Sequence, residues 1–156
     1  MDSSAFFQYP SDTEGNRRFL GDLRDDEVRA VLGYTQARRY PRGELAIREG
    51  NIENSLFVIT AGRFEVVKHT THGARRTTFL QAGEIFGVLS FLDHQPSSTG
   101  VRAVDDSEVV VLTPTGFDRL RLAQPQLALR FVLHLARTVS LRFREYERSL
   151  TALGEL

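Results

Sequence analysis

Residues 85–103 read IFGVLSFLDHQPSSTGVRA. An apolar pair, Ile85 and Phe86, meets Gly87; a short apolar segment follows; and Ser97, Ser98, Thr99 and Gly100 close the stretch before Val101 and Ala103. Glycine and small hydroxyl residues suit a backbone that passes close to an anion, and the N–H groups of Gly87, Val88 and Leu89 sit where a short helix would start. No charged side chain stands where an anion would want one. The stretch has the form of a phosphate-binding turn with its key side chains replaced, and the chain on either side of it shows what kind of fold presents such a turn.

On both sides the hydrophobic period is two. Leu45 and Ile47 alternate with Glu44, Ala46 and Arg48, and SLFVITAG (55–62), RFEVVKH (63–69) and EVVVL (108–112) are rich in β-branched and aromatic residues. HTTHGARR (69–76) reads as a polar turn around Gly73, leading into TTFL (77–80), while Gly43, Gly50, Gly62, Gly83 and Gly87 punctuate the rest. Many short strands separated by glycine turns predict a small β-barrel or sandwich over about residues 39–112.

The flanks change to a period of 3.6. LRDDEVRAVLGY (23–34) offers Asp25 as N-cap, acids in the first turn, Val28, Val31 and Leu32 on one face, and Gly33 as the stop, which predicts a short helix. After Leu112, Thr115 with Asp118 resembles a capping box, and Pro125 opens a second helix running to about Leu153. The two C-terminal helices are placed at about 114–153. Ala128, Val132, Leu135, Val139, Phe143, Tyr146 and Leu150 form one continuous apolar stripe; Leu129, Leu133 and Ala136 form a second in the first half only. The first half therefore has two surfaces to touch and the second half one. A homodimer through Val132, Leu135, Val139, Phe143 and Tyr146 is expected, the alternative being a helix that folds back entirely on its own domain. Arg142, Arg144 and Arg148 alternate with Glu145 and Glu147 as a solvated, salt-laced flank. Residues 1–18, polar but carrying Phe6, Phe7 and Tyr9, read as a flexible arm before the domain proper at 19–150.

A chain of 156 residues is long enough for one domain with a real core. Cysteine is absent, which excludes disulfides and thiolate metal sites. Basic and acidic residues number 20 each, so net charge gives no push toward nucleic acid or acidic lipid. Apolar runs such as LFVI and VVVL fall far short of the ~18 residues of a membrane helix, and the N-terminus lacks a basic leader region. The expected location is the cytoplasm.

Short helix, about eight strands with regular glycines, short helix and long helix: this order resembles the cyclic-nucleotide-binding domain family, in bacteria the sensory domain of the catabolite activator type. The residues that carry the resemblance are YPRGELAIREG (40–50), SLFVITAGRFEVV (55–67), LQAGEIFG (80–87) and VRAVDDSEVVVL (101–112). It implies an eight-stranded antiparallel β-roll of double-stranded jelly-roll type, mainly β with flanking helices. It also implies a phosphate-binding cassette between two strands and a C-terminal helix that dimerises. The family cassette runs F-G-E-hydrophobic, then several residues, then R-[ST]-A-x-V-x-A. Here Phe86 and Gly87 match, Val88 replaces the glutamate, Ser97 replaces the arginine, Ser98 keeps the hydroxyl, Thr99 replaces alanine, and Val101 and Ala103 match the strand.

The resemblance implies that the arginine pairs with the cyclic phosphate and the glutamate accepts from the ribose 2′-hydroxyl. Serine and valine do neither. Charged hydrogen bonds contribute roughly 1.5–3 kcal/mol each, so the two losses weaken binding by roughly 3–6 kcal/mol, about a hundredfold to ten-thousandfold. The expected pocket, Phe86, Gly87, Val88, Leu89, Ser90, Ser97, Ser98 and Thr99, is therefore degenerate. Arg102, Arg75 and Arg76 are candidate substitute cations, though Arg102 alternates with Val101 and Ala103 and so points away from the interior. His69, His72, His94 and His134 read as solvated, with no metal-ligand spacing. No paired carboxylates, nucleophile motif or P-loop is present, so no catalytic residue, metal or cofactor is expected. The chain ends within a few residues of the long helix, and specific DNA binding is not expected of it. The expected function is a stand-alone, non-enzymatic regulatory domain acting as a dimeric protein-interaction module. The alternative is a sensor that still binds a cyclic nucleotide or other nucleotide-like small molecule and signals through its C-terminal helix.

Overall fold

A computed structural model describes residues 23–154, with the backbone alone at 76 and 77. The arm expected over 1–18, with Phe6, Phe7 and Tyr9, lies outside the described residues, as does the side chain of Arg76. The elements follow in the order α1 (Asp25–Leu32), β1 (Gln36–Tyr40), β2 (Leu45–Ile47), β3 (Leu56–Ala61), β4 (Arg63–Thr70), β5 (Gly73–Gln81), β6 (Ile85–Phe86), α2 (Val88–Asp93), β7 (Gly100–Ala103), β8 (Ser107–Leu112), α3 (Pro114–Ala123) and α4 (Pro125–Ala152). The strands form two four-stranded sheets, ordered β1-β8-β3-β6 and β2-β7-β4-β5. Every pairing is antiparallel. This is the eight-stranded β-roll with a short helix before it and a long helix after it.

Period-two alternation sorts the side chains into two cores. Phe57 and Ile59 of β3 point between the sheets with Phe64, Phe86, Val109 and Val111; their neighbours Leu56 and Val58 point the other way, toward the helices. The helix-side core joins Ile85, Val88 and Phe91 to Leu120, Leu127, Phe131 and Leu135. Segment 85–91 therefore sits on the boundary of the two cores, with Phe86 in one and Val88 in the other. An aromatic chain crosses the helix-side core: Phe91 of α2 packs edge-on to Phe117 of α3 at 5.6 Å, and Phe117 lies 6.5 Å from Phe131 of α4.

Several local expectations are corrected. Arg24, not Asp25, is the N-cap of α1, and its N–H donates to Glu27 Oε1 at 3.2 Å. The inward face of α1 carries Val31 and Glu27, while Leu32 is 37% exposed. The buried Glu27 carboxylate is engaged by Arg130 of α4, which ties the first helix to the last. The roll starts at Gln36 rather than Arg39. The turn read across 69–76 shrinks to Thr71 and His72, because β4 and β5 pair as far as Thr70 with Gly73; two residues suffice for a hairpin. Thr113 caps α3, its Oγ1 accepting from the Gly116 N–H at 3.0 Å, whereas Asp118 pairs with Arg121 at 2.8 Å. His134 is buried, not solvated.

The first stripe of α4 is split between the core and the surface. Leu135, expected at a dimer face, is fully buried in its own domain, and Leu150 near the far end is 6% exposed. Phe143 of the expected set stays outward at 47% exposure, on one face with Leu129 and Leu133 of the second stripe at 56% and 48%, flanked by the half-buried Val132. The face that packs in the helix-side core carries Leu127, Ala128, Phe131 and Leu135. At 28 residues α4 is roughly 42 Å long.

Candidate functional site

Segment 85–103 folds into a hairpin-like enclosure at one end of the roll. Phe86 anchors the outgoing arm, stacked on Phe57 at 4.7 Å and tilted against Phe64 at 5.1 Å. Gly87 follows with φ +78°, where a Cβ would lie 2.7 Å from the Ser55 carbonyl oxygen and 3.1 Å from Phe57 Cδ2. Conformation and close approach both require glycine there. Val88 then starts α2, buried among Ile85 and Phe91, with Leu89 half-buried and Ser90 buried. His94 ends that helix in the left-handed region at φ +57°.

The returning arm is held by backbone bonds to the loop after β2. The Ser97 N–H donates to the Asn51 carbonyl, and the Gly50 N–H donates to the Ser97 carbonyl, both at 2.8 Å. The Ser97 hydroxyl donates to the Thr99 carbonyl at 2.8 Å. Lys68 reaches over from β4, donating to the Ser98 carbonyl at 2.6 Å and to Glu49 Oε1 at 3.0 Å. The other Glu49 oxygen accepts from the His69 N–H and meets its ring Nδ1, both at 2.9 Å. Burial works against ionisation of Glu49, but the His69 and Lys68 contacts outweigh it and hold this carboxyl below its ordinary range. Lys68 thus fastens the arm from outside.

All eight residues expected at the pocket line one cavity: Phe86, Gly87, Val88, Leu89 and Ser90 from one arm, Ser97, Ser98 and Thr99 from the other. Ile47, Val66 and Val101 extend its apolar floor, and Val139 and Arg142 of α4 close it. The cavity has a volume of about 60 Å³. Among the described residues, no aspartate or glutamate lines the cavity.

Of the expected substitute cations, Arg102 points outward and pairs with Glu65, its Nε donating at 2.8 Å. Arg75 is exposed on β5. The cation at the cavity is Arg142, half-buried on α4 and expected on a solvated flank. The charge alternation around it masked the signal, which is that Arg142 stands three residues beyond Val139 and so on the same helix face. Of the expected dimer residues, Leu135 belongs to the core, Val139 faces the cavity, Val132 and Tyr146 are half-buried, and Phe143 is exposed. No cluster of three or more metal-ligating side chains occurs among the described residues, and no described helix is long and apolar enough to cross a membrane.

The family model for the cyclic nucleotide-binding domain matches residues 37–124. The chain is 31% identical over 142 residues to the cyclic AMP receptor protein of Thermus thermophilus, covering 90% of this chain and 63% of that one. Its fold superposes on the crystal structure of the Thermus thermophilus catabolite activator protein with a TM-score of 0.77 at 28% identity, over 88% of this chain and 63% of that one. A cyclic nucleotide-binding domain from Methylobacillus flagellatus gives 0.74 at 29% identity, over 85% and 75%. The chain therefore spans less than two thirds of the length of the Thermus relative.

Proposed function

We propose, from the premise that this chain belongs to the cyclic nucleotide-binding domain family, that it is a non-enzymatic cytoplasmic regulatory domain that has lost tight binding of cyclic AMP and cyclic GMP. It works as a dimeric protein-interaction module through the outward face of α4. The observation that carries the first half is the cavity itself: Val88 and Ser97 line it where the family pattern has glutamate and arginine, and no carboxylate of the described residues lines it elsewhere. A buried phosphate without its paired cation is costly, and a ribose hydroxyl finds only other hydroxyls and backbone. The backbone of the cassette is retained, from the Gly87 turn to the Ser97 anchor bonds, so the loss is chemical rather than architectural. The second half rests on Leu129, Leu133 and Phe143, which present an apolar face on a helix with spacings of four and ten residues.

A second reading, a sensor of another small molecule, is favoured by one observation, the approach of Arg142 to the cavity. A melting-temperature panel tests the proposal. A ligand at a hundred times its Kd adds about 2.7 kcal/mol to stability, which is several degrees for a domain of this size. Cyclic AMP and cyclic GMP at submillimolar concentration are expected to leave the melting temperature unchanged. A rise of several degrees with either overturns the proposed loss.

A further inference from the structure

We infer that the cavity between the cassette arms takes a small neutral molecule, a hydroxyl or carbonyl group on a compact apolar body, and holds it through the hydroxyls of Ser90 and Thr99. This rests on the reading that the cassette has lost its own charged pair.

The two hydroxyls come first. Ser90 on α2 and Thr99 on the returning arm are each 6% exposed, and both line the cavity. Neither hydroxyl makes a hydrogen bond to the described protein, and neither is sealed off from open space. Buried hydroxyls without a partner are uncommon, and each can both donate and accept. The neighbouring Ser97 hydroxyl is already engaged, donating to the Thr99 carbonyl at 2.8 Å. Threonine at 99 stands where the family pattern has alanine. The cavity that lacks the pattern's glutamate and arginine has therefore gained a buried, unengaged hydroxyl.

Charge then sets the class of guest. No carboxylate of the described residues lines the cavity, so a buried ammonium finds no counter-ion there. Arg142 at the wall already has an interaction of its own, and burying an anion without a cation to pair with it is costly. A neutral oxygen function meets the hydroxyls without either cost. A guest hydroxyl donates to one and accepts from the other; a carbonyl oxygen accepts from both through its two lone pairs. The floor of Ile47, Val66, Phe86, Val88 and Val101 is apolar and suits the body of such a guest. At about 60 Å³ the cavity admits only a compact one.

The test uses the full chain and follows its backbone amides by NMR during titration with 2-propanol, acetone, acetate and isopropylammonium, four probes of similar size. At least one neutral probe is expected to shift the amides of Gly87, Ser90, Thr99 and Val101 saturably at millimolar concentration, with both ions about tenfold weaker or worse. A larger response to 2-propanol assigns a hydroxyl guest, and a larger response to acetone assigns a carbonyl. Thr99→Val keeps the shape of the side chain and removes its hydroxyl, and Ser90→Ala removes the other. Each is expected to weaken binding about fivefold, the equivalent of one neutral hydrogen bond. An unperturbed spectrum elsewhere verifies that the variants are folded. Failure of both neutral probes to saturate leaves the hydroxyls to water and overturns the inference. So does an ion that binds as tightly as the neutral probes, or unchanged binding in both variants. Cyclic AMP in the same series separates the two ideas. Micromolar binding of cyclic AMP overturns the cassette reading and this inference together; failure of both neutral probes and of cyclic AMP overturns this inference alone.

Discussion

Replacing Val88 by glutamate and Ser97 by arginine writes back the two charged residues that the family pattern carries, and the structure sets what each change costs. Val88 is 4% exposed and packs in the helix-side core. Val88→Glu alone removes buried apolar area worth about 1.5–2 kcal/mol and puts a carboxylate where no cassette cation faces it. A buried charge without a partner costs about 3–5 kcal/mol, so the single variant is expected to be the least stable of the set. Ser97→Arg is milder. The arm is held by the backbone bonds of residue 97, which survive the change, and only the hydroxyl bond to the Thr99 carbonyl is lost, about 1 kcal/mol. With both in place and cyclic AMP bound, each restored contact contributes roughly 1.5–3 kcal/mol. A gain of about 4 kcal/mol moves a millimolar site to a micromolar one. Calorimetry on the wild type, both single variants and the pair measures this as a double-mutant cycle. The pair is expected to gain more than the sum of the singles, and Ser97→Arg alone about tenfold. A folded double variant that binds cyclic AMP no better than the wild type refutes the reasoning. So does Ser97→Arg without any gain, which remains measurable even if Val88→Glu disrupts the core.

Gly62 forms the one-residue turn between β3 and β4 at φ +82°, and a Cβ there would lie 2.2 Å from Ser107 Oγ and 2.8 Å from the Asp106 carbonyl oxygen. Gly62→Ala is expected to lose at least about 1–3 kcal/mol, seen as a lower denaturant midpoint with an unchanged slope. The proposed dimer predicts that light scattering gives a dimer for the wild type and a folded monomer for Leu133→Asp, placed at the middle of the outward face of α4. Because Glu49 has a folded value depressed below its ordinary 4.5, its contribution is fully present above pH 4.5 and is lost as pH falls through the lower folded value. Glu49→Gln should therefore differ in melting temperature from the wild type at neutral pH, with the gap closing under acid.

Much of the fold was legible in the sequence because its signals are local. The alternation through SLFVITAG and EVVVL and the glycines at positive φ mark the strands and turns with little help from tertiary contacts, and the cassette segment showed its missing charges residue by residue. What failed depended on which of two equivalent partners wins in three dimensions. Thr113 and Thr115 are both plausible caps, and only the Gly116 N–H decides between them. Leu133 and Leu135 are both apolar, and only the docking angle of α4 decides which is buried. Arg142 was hidden for the same reason, since a charge on a helix reads as solvated until the helix is seen lying over a cavity. The buried His134 gave no signal apart from its position between Phe131 and Leu135.

The most direct test of the account is calorimetric titration of the wild-type chain with cyclic AMP. The missing glutamate and arginine predict no heat of binding at micromolar concentration, with any interaction confined to the millimolar range. A saturable isotherm with a micromolar or tighter Kd would contradict it.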